Sequence, residues 1–366
     1  MQKDLKARVD WIDAAKGFCI LLVVFHHVIV TSYSLPTFVS DSGSDIFSYF
    51  NEKISHYLAP LRMPLFFVIS GMLVHSSVTK KSWYEVFDKR ISNLVYLFLL
   101  WGVIQWLSVY GINRLGQPEV QLSSAVNALY SRELLEFIWL TLRGHSSLWY
   151  LYALVVYFIV CKSLARNWWL ALATMLVFHW YGWTFGLSWP VNSIFINGIY
   201  FAFGCFWGSK TFALLSRLNA SSLLLAASPI ILFLLTKALG FSIPMLLSFS
   251  IIFVGVPLFT VAQRVMKLSI VSWIGRNTLQ IYVLHRIFIE LVGVLVIPAM
   301  LDLNKPLDGL SADLWLLLYP SFATATIVVL SLLFWHLSNR GIGRALYNMP
   351  QRLKVLRSSC PSASLS

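Results

Sequence analysis

Lys16 and His27 stand eleven residues apart in DAAKGFCILLVVFHHV, the first membrane-length apolar run of the sequence. At about 100° per residue, eleven steps come to three turns plus about 20°. In a helix the two side chains therefore share one stripe, about 16 Å apart along the axis. His26 falls about 80° off that stripe, so only His27 is expected to share a cavity with Lys16. Asp13 lies one turn before Lys16, within ion-pairing reach. Imidazole accepts and donates a proton near neutral pH, which suits a general base or a transient acyl carrier. An ionisable group at mid-bilayer is costly and as a rule lines a pathway or a site. The competing account has Lys16 reaching back to the headgroups while the histidines bond other helices.

Further candidates lie in later runs. His285 follows Arg276 by nine residues, at a depth comparable to His27, and Arg286 and Glu290 make that run polar enough to face a bundle interior. A lining or orienting role and a structural hydrogen bond are both open to His285. Arg62 either touches a reacting group or closes a buried salt bridge. Arg90, with Lys89, Lys80 and Lys81, can hold phosphates in bidentate fashion or simply anchor the chain at the inner face. Gly71, after Ser70, permits close helix packing, and a catalytic serine there lacks a neighbouring base. Gly204 and Gly208 form a small-residue packing pair, and His75, His179 and His336 read as structural. Cys19, Cys161, Cys205 and Cys360 show no metal-type spacing and read as reduced and structural.

The elements that must hold these residues are membrane helices. The 366 residues are 58% hydrophobic and only 12% charged, with a mean hydropathy of +0.73. Soluble domains are about a quarter charged. Crossing about 30 Å of hydrocarbon takes roughly 20 apolar residues, and ten runs qualify: 14–33, 57–76, 92–111, 147–164, 168–186, 190–208, 221–239, 243–262, 277–298 and 314–337. Of these, 168–186 and 190–208 are the least clearly separated, with only GLSW and Pro190 at their junction. The N-terminal run is interrupted by Asp10 and Asp13 and lacks a clear cleavage site, so it reads as a permanent first span.

The net charge of +13 follows topology rather than a nucleic-acid-binding surface, because no basic domain stands apart from the apolar runs. With the N-terminus inside, twenty of the 28 basic residues fall in inner segments and six in outer ones, while nine of the 15 acidic residues fall outside. Both termini are thus expected in the cytoplasm. Residues 112–146 form the longest outer piece, with helical apolar spacing in VNALYSRELLEFIWLTLRG. The fifteen tryptophans cluster near span ends as interface belts. The expected organisation is a membrane unit over 1–340 and a basic cytoplasmic tail over 341–366.

Five stretches resemble one family in order along nearly the whole chain. WIDAAKGFCILLVVFHH is similar to the opening helix of the membrane acyltransferase 3 family, where Arg or Lys, ten residues, then His form a signature. RMPLFFVISGMLV resembles its run ending in Phe-x-x-Ser-Gly. VFDKRISNLVYLFLLW is similar to its basic third-helix start, although Asn93 stands where a second basic residue follows Arg90. HSSLWYLYALVVYFIV resembles its Trp-aromatic-Leu span, and WIGRNTLQIYVLHRIFI its late Gly-x-x-Thr-Leu-x-Ile-Tyr-x-x-His run.

The resemblance implies an all-α polytopic bundle of about ten helices in a bacterial inner membrane. It implies an O-acyltransferase that moves an acyl group, commonly acetyl, from cytoplasmic acyl-CoA to a hydroxyl of an outer or lipid-linked glycan such as an exopolysaccharide. Acyl-CoA is then a substrate and no cofactor stays bound; the partners are the glycan acceptor, membrane lipids and glycan assembly machinery. Carried over by position, the catalytic set is His27, Lys16 and Asp13. The substrate-binding set is Arg90, Asn93, Ser70, Trp149, Tyr282 and His285. A rival reading is a proton-coupled small-molecule transporter or exporter with His27 and His285 as relay residues, and a third is a structural subunit of a glycan assembly complex. Transporters commonly carry internal repeats with matched Gly/Pro breaks, and none is visible here.

Overall fold

The computed structural model describes residues 2–33, 45–116, 127–241, 243–300, 307 and 309–350. Its helices are α1 (Gln2–Val28), α2 (Asp45–Tyr57), α3 (Ala59–Thr79), α4 (Trp83–Val86), α5 (Ser92–Gly116), α6 (Leu134–Leu142), α7 (Trp149–Ser163) and α8 (Trp168–Phe185). They continue as α9 (Val191–Phe203), α10 (Ser209–Leu215), α11 (Ala220–Ala238), α12 (Pro244–Val265), α13 (Ser269–Arg276), α14 (Thr278–Leu291), α15 (Ile297–Met300) and α16 (Gly309–Ser338). The chain is an all-α, multi-pass membrane protein.

Local sequence sets several of the ends. Ser82 and Glu85 form a reciprocal capping box, Ser82 Oγ accepting from Glu85 N at 3.2 Å and Glu85 Oε2 from Ser82 N at 3.1 Å. Asn219 caps α11 by accepting from Ser222 N at 2.9 Å. α8 stops at Gly186, whose φ of +53° closes the last turn on Gly182.

Among the described residues eight helical stretches are long and apolar enough to cross a bilayer, and Trp149–Ser163 with Ala165–Phe185 makes a further pair bent by 78°. The runs 147–164 and 168–186 correspond to the two arms of that pair. With 15 residues, α7 spans only about 22 Å as a helix, which is why length alone does not admit it. Its contacts nevertheless run between two levels. Trp149 borders the large cavity described below, and Lys162 at the other end donates to the carbonyls of Val78, in the last turn of α3, at 3.2 Å and of Lys81, just past it, at 2.6 Å. α8 then returns against α9 in antiparallel register: Trp168 meets Trp207, His179 bonds Ile196 O at 2.7 Å, and Gly182 faces Asn192. The least clearly separated runs of the sequence are thus two distinct helices.

Two backbone contacts fix the frame. A Cβ on Gly17 would lie 2.0 Å from Val271 O and one on Gly275 1.7 Å from Asp13 O, so α1 and α13 touch main chain to main chain. Gly71 and Gly204 do the same for α3 and α9, with hypothetical Cβ atoms 2.1 Å from Phe201 O and 2.0 Å from Val68 O. Small residues at membrane crossings allow this approach. His75 Nδ1 donates to Cys205 O at 2.6 Å, and the buried Cys19, Cys161 and Cys205 form no disulfide.

Residues 341–349 do not hang free as the start of a tail. Trp101 Nε1 donates to Leu346 O at 2.6 Å, Tyr96 to Ala345 O at 2.9 Å, and Tyr347 is only 2% exposed. The remainder of the basic tail, with Cys360, lies outside the described residues, as do Asp41 and Asp302.

Candidate active site

Two cavities meet along α1 and α3. The smaller, about 220 Å³, is lined by Lys16, Ile20, Ser70, Leu94, Tyr150 and Tyr282 among others. The larger, about 840 Å³, is lined by His26, His27, Thr31, Arg62, Trp149 and Arg286 among others. Val23 and Met63 border both. One helix therefore presents a cation to the small cavity and an imidazole to the large one, with an apolar pair at the junction. α1 can do this because its periodicity returns every eleventh residue to nearly the same face.

Behind Lys16 sits Asp13, 8% exposed, which accepts from Lys16 Nζ at 3.2 Å and lies 3.8 Å from Arg276 Nη1. Asp13 lines neither cavity; it holds Lys16 at the mouth of the small one. Ser70 Oγ and Tyr150 OH are 2.6 Å apart on the wall of that cavity. Tyr282 OH donates to Ser147 O at 3.0 Å and accepts from Tyr150 N at 3.3 Å, tying α14 to the start of α7.

His285 is fully buried behind His27, with ring centroids 5.2 Å apart. Its Nδ1 is 2.7 Å from Tyr282 O. A carbonyl only accepts, so Nδ1 carries the hydrogen and neutral His285 keeps a lone pair on Nε2. That nitrogen has no hydrogen-bond partner among the described residues. The single cavity expected to hold both Lys16 and His27 is instead two, and His26 lines the larger one beside His27, with its Nδ1 3.0 Å from Ser55 Oγ. The cavity is wide enough to touch two faces of α1, which a single-helix projection cannot reveal.

Arg90 and Asn93 line neither cavity. Arg90 stands one turn before Leu94, at the α5 end of the small cavity. Asn93 Oδ1 accepts from Met349 N at 2.8 Å, so this side chain fastens the chain after α16 to α5.

A polar cluster closes the far side of the large cavity. Arg286, 4% exposed, donates through Nη1 to Thr31 Oγ1 at 2.7 Å and through Nη2 to Glu290 Oε1 at 2.9 Å and to Tyr130 OH. Tyr130 OH donates to Glu290 Oε1 at 2.5 Å. Burial, the largest influence, pushes the Tyr130 phenol above its ordinary value, so it remains a donor at neutral pH. Gln105 bridges Val283 O at 2.7 Å and Ser147 Oγ at 2.5 Å. Arg286 and Glu290 stand out as charges within an apolar run, whereas Tyr130 and Gln105 are not among the candidates of the sequence. Gln105 carried a signal, a lone amide within VYLFLLWGVIQWL; Tyr130 carried none.

The sequence that builds this site matches a known family. A profile of the acyltransferase 3 family, described as an acyltransferase domain, matches residues 9–336, and the chain belongs to that family: it is a membrane acyltransferase. The chain is 35% identical to the inner membrane protein YcfT of Escherichia coli (strain K12) over 358 residues, covering 94% of this chain and 97% of that protein. No solved structure matches it.

Proposed function

We propose that the protein O-acylates a glycan hydroxyl on the outer side of a bacterial inner membrane, drawing an acyl group, acetyl by preference, from cytoplasmic acyl-CoA. The observation that carries this reading is the pair of cavities meeting at Val23 and Met63, with Lys16 on one and His27 on the other. The narrow, mostly apolar chamber suits an acyl-pantetheine arm. The wide chamber offers Trp149, Trp189, Asn127, Asn197, Ser193 and Ser248, a set of aromatic faces and short polar groups suited to a sugar. The relative's name places that protein in an inner membrane, which supports the same location here.

In this reading His27 takes the proton of the acceptor hydroxyl as its oxygen attacks the thioester carbonyl. The tetrahedral adduct collapses, the C–S bond breaks, and the departing thiolate takes the proton back from His27. The products are an ester and free CoA, and His27 returns to its starting state. Lys16, held by Asp13, orients the donor. His285, bonded to Tyr282, packs against the His27 ring and limits its orientation.

The test is mass spectrometry of envelope glycans from a strain lacking the gene, with and without mild base. Loss of a base-labile acyl mass supports transfer. Unchanged glycans together with altered solute uptake favour the transporter reading.

Two predictions attach to this placement. Both termini are expected in the cytoplasm: α7 and α8, each running between the Lys81 level and the large cavity, keep the number of crossings even, and the excess of basic residues in the inner segments picks the side. Reporter fusions at Ser366 and within 112–146 check this, and an external C-terminus contradicts it. Arg90→Ala is expected to raise the apparent KM for acyl-CoA about tenfold or more, with little change for the acceptor, since guanidinium–phosphate pairing is charge-assisted and bidentate. Impaired acceptor use with an unchanged donor KM refutes that role.

A further inference from the structure

Among the described residues, the wall of the large cavity carries a positive charge that it does not balance: its fixed cations are Arg62 and Arg286, and none of its described lining residues is Asp or Glu. Arg286 is answered from behind by Glu290 at 2.9 Å. Arg62 is not: among the described residues its hydrogen bond is Nη1 to Ser55 Oγ, at 3.4 Å, and no carboxylate lies within ion-pairing distance. A guanidinium offers five N–H donors in a fixed fork, and protein groups among the described residues take up one of them.

Membrane cations commonly escape this cost by reaching to the interface. Ser55 holds this one back. Its Oγ lies 3.0 Å from His26 Nδ1 as well as 3.4 Å from Arg62 Nη1, which keeps the guanidinium on the cavity wall beside His26, one residue from His27. In surroundings poorer in water than bulk solvent, an unpaired cation attracts an incoming anion more strongly than it would at an open surface.

We propose that the acceptor is an anionic glycan whose carboxylate or phosphate is bound by Arg62, so that a neighbouring hydroxyl is presented to His27. This rests on the acyl-transfer reading and adds the acceptor's charge to it. The planar fork of Arg62 matches either oxyanion bidentately, which an ammonium cannot do. Arg62 is therefore a specificity residue, contacting the acceptor away from the reacting oxygen.

The test uses the full chain purified in detergent and three labelled probes: a glucuronate-terminated disaccharide, its glucose-terminated counterpart, and the glucose-terminated compound carrying a phosphate ester. At least one anionic probe is expected to bind about tenfold or more tighter than the neutral one. Arg62→Gln removes that preference and Arg62→Lys keeps part of it. Arg143→Gln keeps all of it, since Arg143 is an exposed residue over Trp139 that lines neither cavity. The better of the two anionic probes separates a uronic acid from a phosphorylated sugar.

Equal binding of charged and neutral probes by the unaltered protein, binding of none, or a preference that survives Arg62→Gln overturns the proposal. Transfer of labelled acetyl from acetyl-CoA to the same probes is scored separately. Charge-selective binding without transfer sinks the acyl-transfer reading and leaves the anion site standing. Transfer to the neutral probe that is unaffected by Arg62→Gln does the reverse.

Discussion

His27→Ala is expected to abolish acyl transfer while leaving the protein in the membrane at its normal level. General acid–base help is typically worth about 10²–10⁴-fold, and neither neighbouring imidazole among the described residues replaces it. His285 is fully buried behind the His27 ring, with Nδ1 committed to Tyr282 O. His26 lines the same cavity, but its Nδ1 lies against Ser55 Oγ on the Arg62 side. His26→Ala is therefore expected to keep most activity, within about tenfold of the unaltered protein, a small loss against the general-base range. Lys16→Ala should be severe and Lys16→Arg tolerated if charge and reach are what the small cavity needs. The check is glycan acylation in membranes, normalised to the amount of protein. An inactive His26→Ala beside an active His27→Ala would overturn the assignment, and with it the alignment of the stripe to the family signature.

Glu290→Ala is expected to be the most destabilising single change in the polar cluster. Glu290 is the anion paired with Arg286, and the two side chains are 6% and 5% exposed. Removing one member of a buried pair leaves an uncompensated charge and costs about 3–5 kcal/mol. Tyr130 loses the acceptor of its phenolic proton at the same time. Replacing both partners by apolar residues of similar volume is often near neutral. The double variant Arg286→Met, Glu290→Met should therefore unfold at a higher temperature than Glu290→Ala alone. Thermal denaturation in detergent reads this directly. A single variant as stable as the unaltered protein means the pair contributes little, and Arg286 then reaches another counter-charge.

Much of the membrane architecture was legible from residue order alone. The apolar runs had to become helices, since only internal pairing satisfies the backbone in lipid, and the eleven-residue spacing placed Lys16 and His27 on one face because that follows from helical pitch. The close helix approach at Gly71 was equally readable, because a residue without a side chain admits a neighbour's main chain. Tertiary packing decided the rest. Lipid-facing and core-facing surfaces are both apolar, so sequence could not tell which faces would meet, nor that two cavities would share Val23 and Met63 as wall residues. It could not place His285 against His27 from a helix more than 250 residues away, nor bring Tyr130 from the segment between α5 and α6 onto Arg286 and Glu290. Asn93 stands where the family carries a second basic residue, and that its Oδ1 accepts from Met349 N is set by the packing of the chain after α16 on α5. Arg62 stood between a ligand contact and a salt bridge, and only the arrangement of its neighbours left it facing the large cavity without a carboxylate among the described residues. Pitch acts within one helix and is written in its sequence, whereas charge balance and cavity shape depend on which helices pack together.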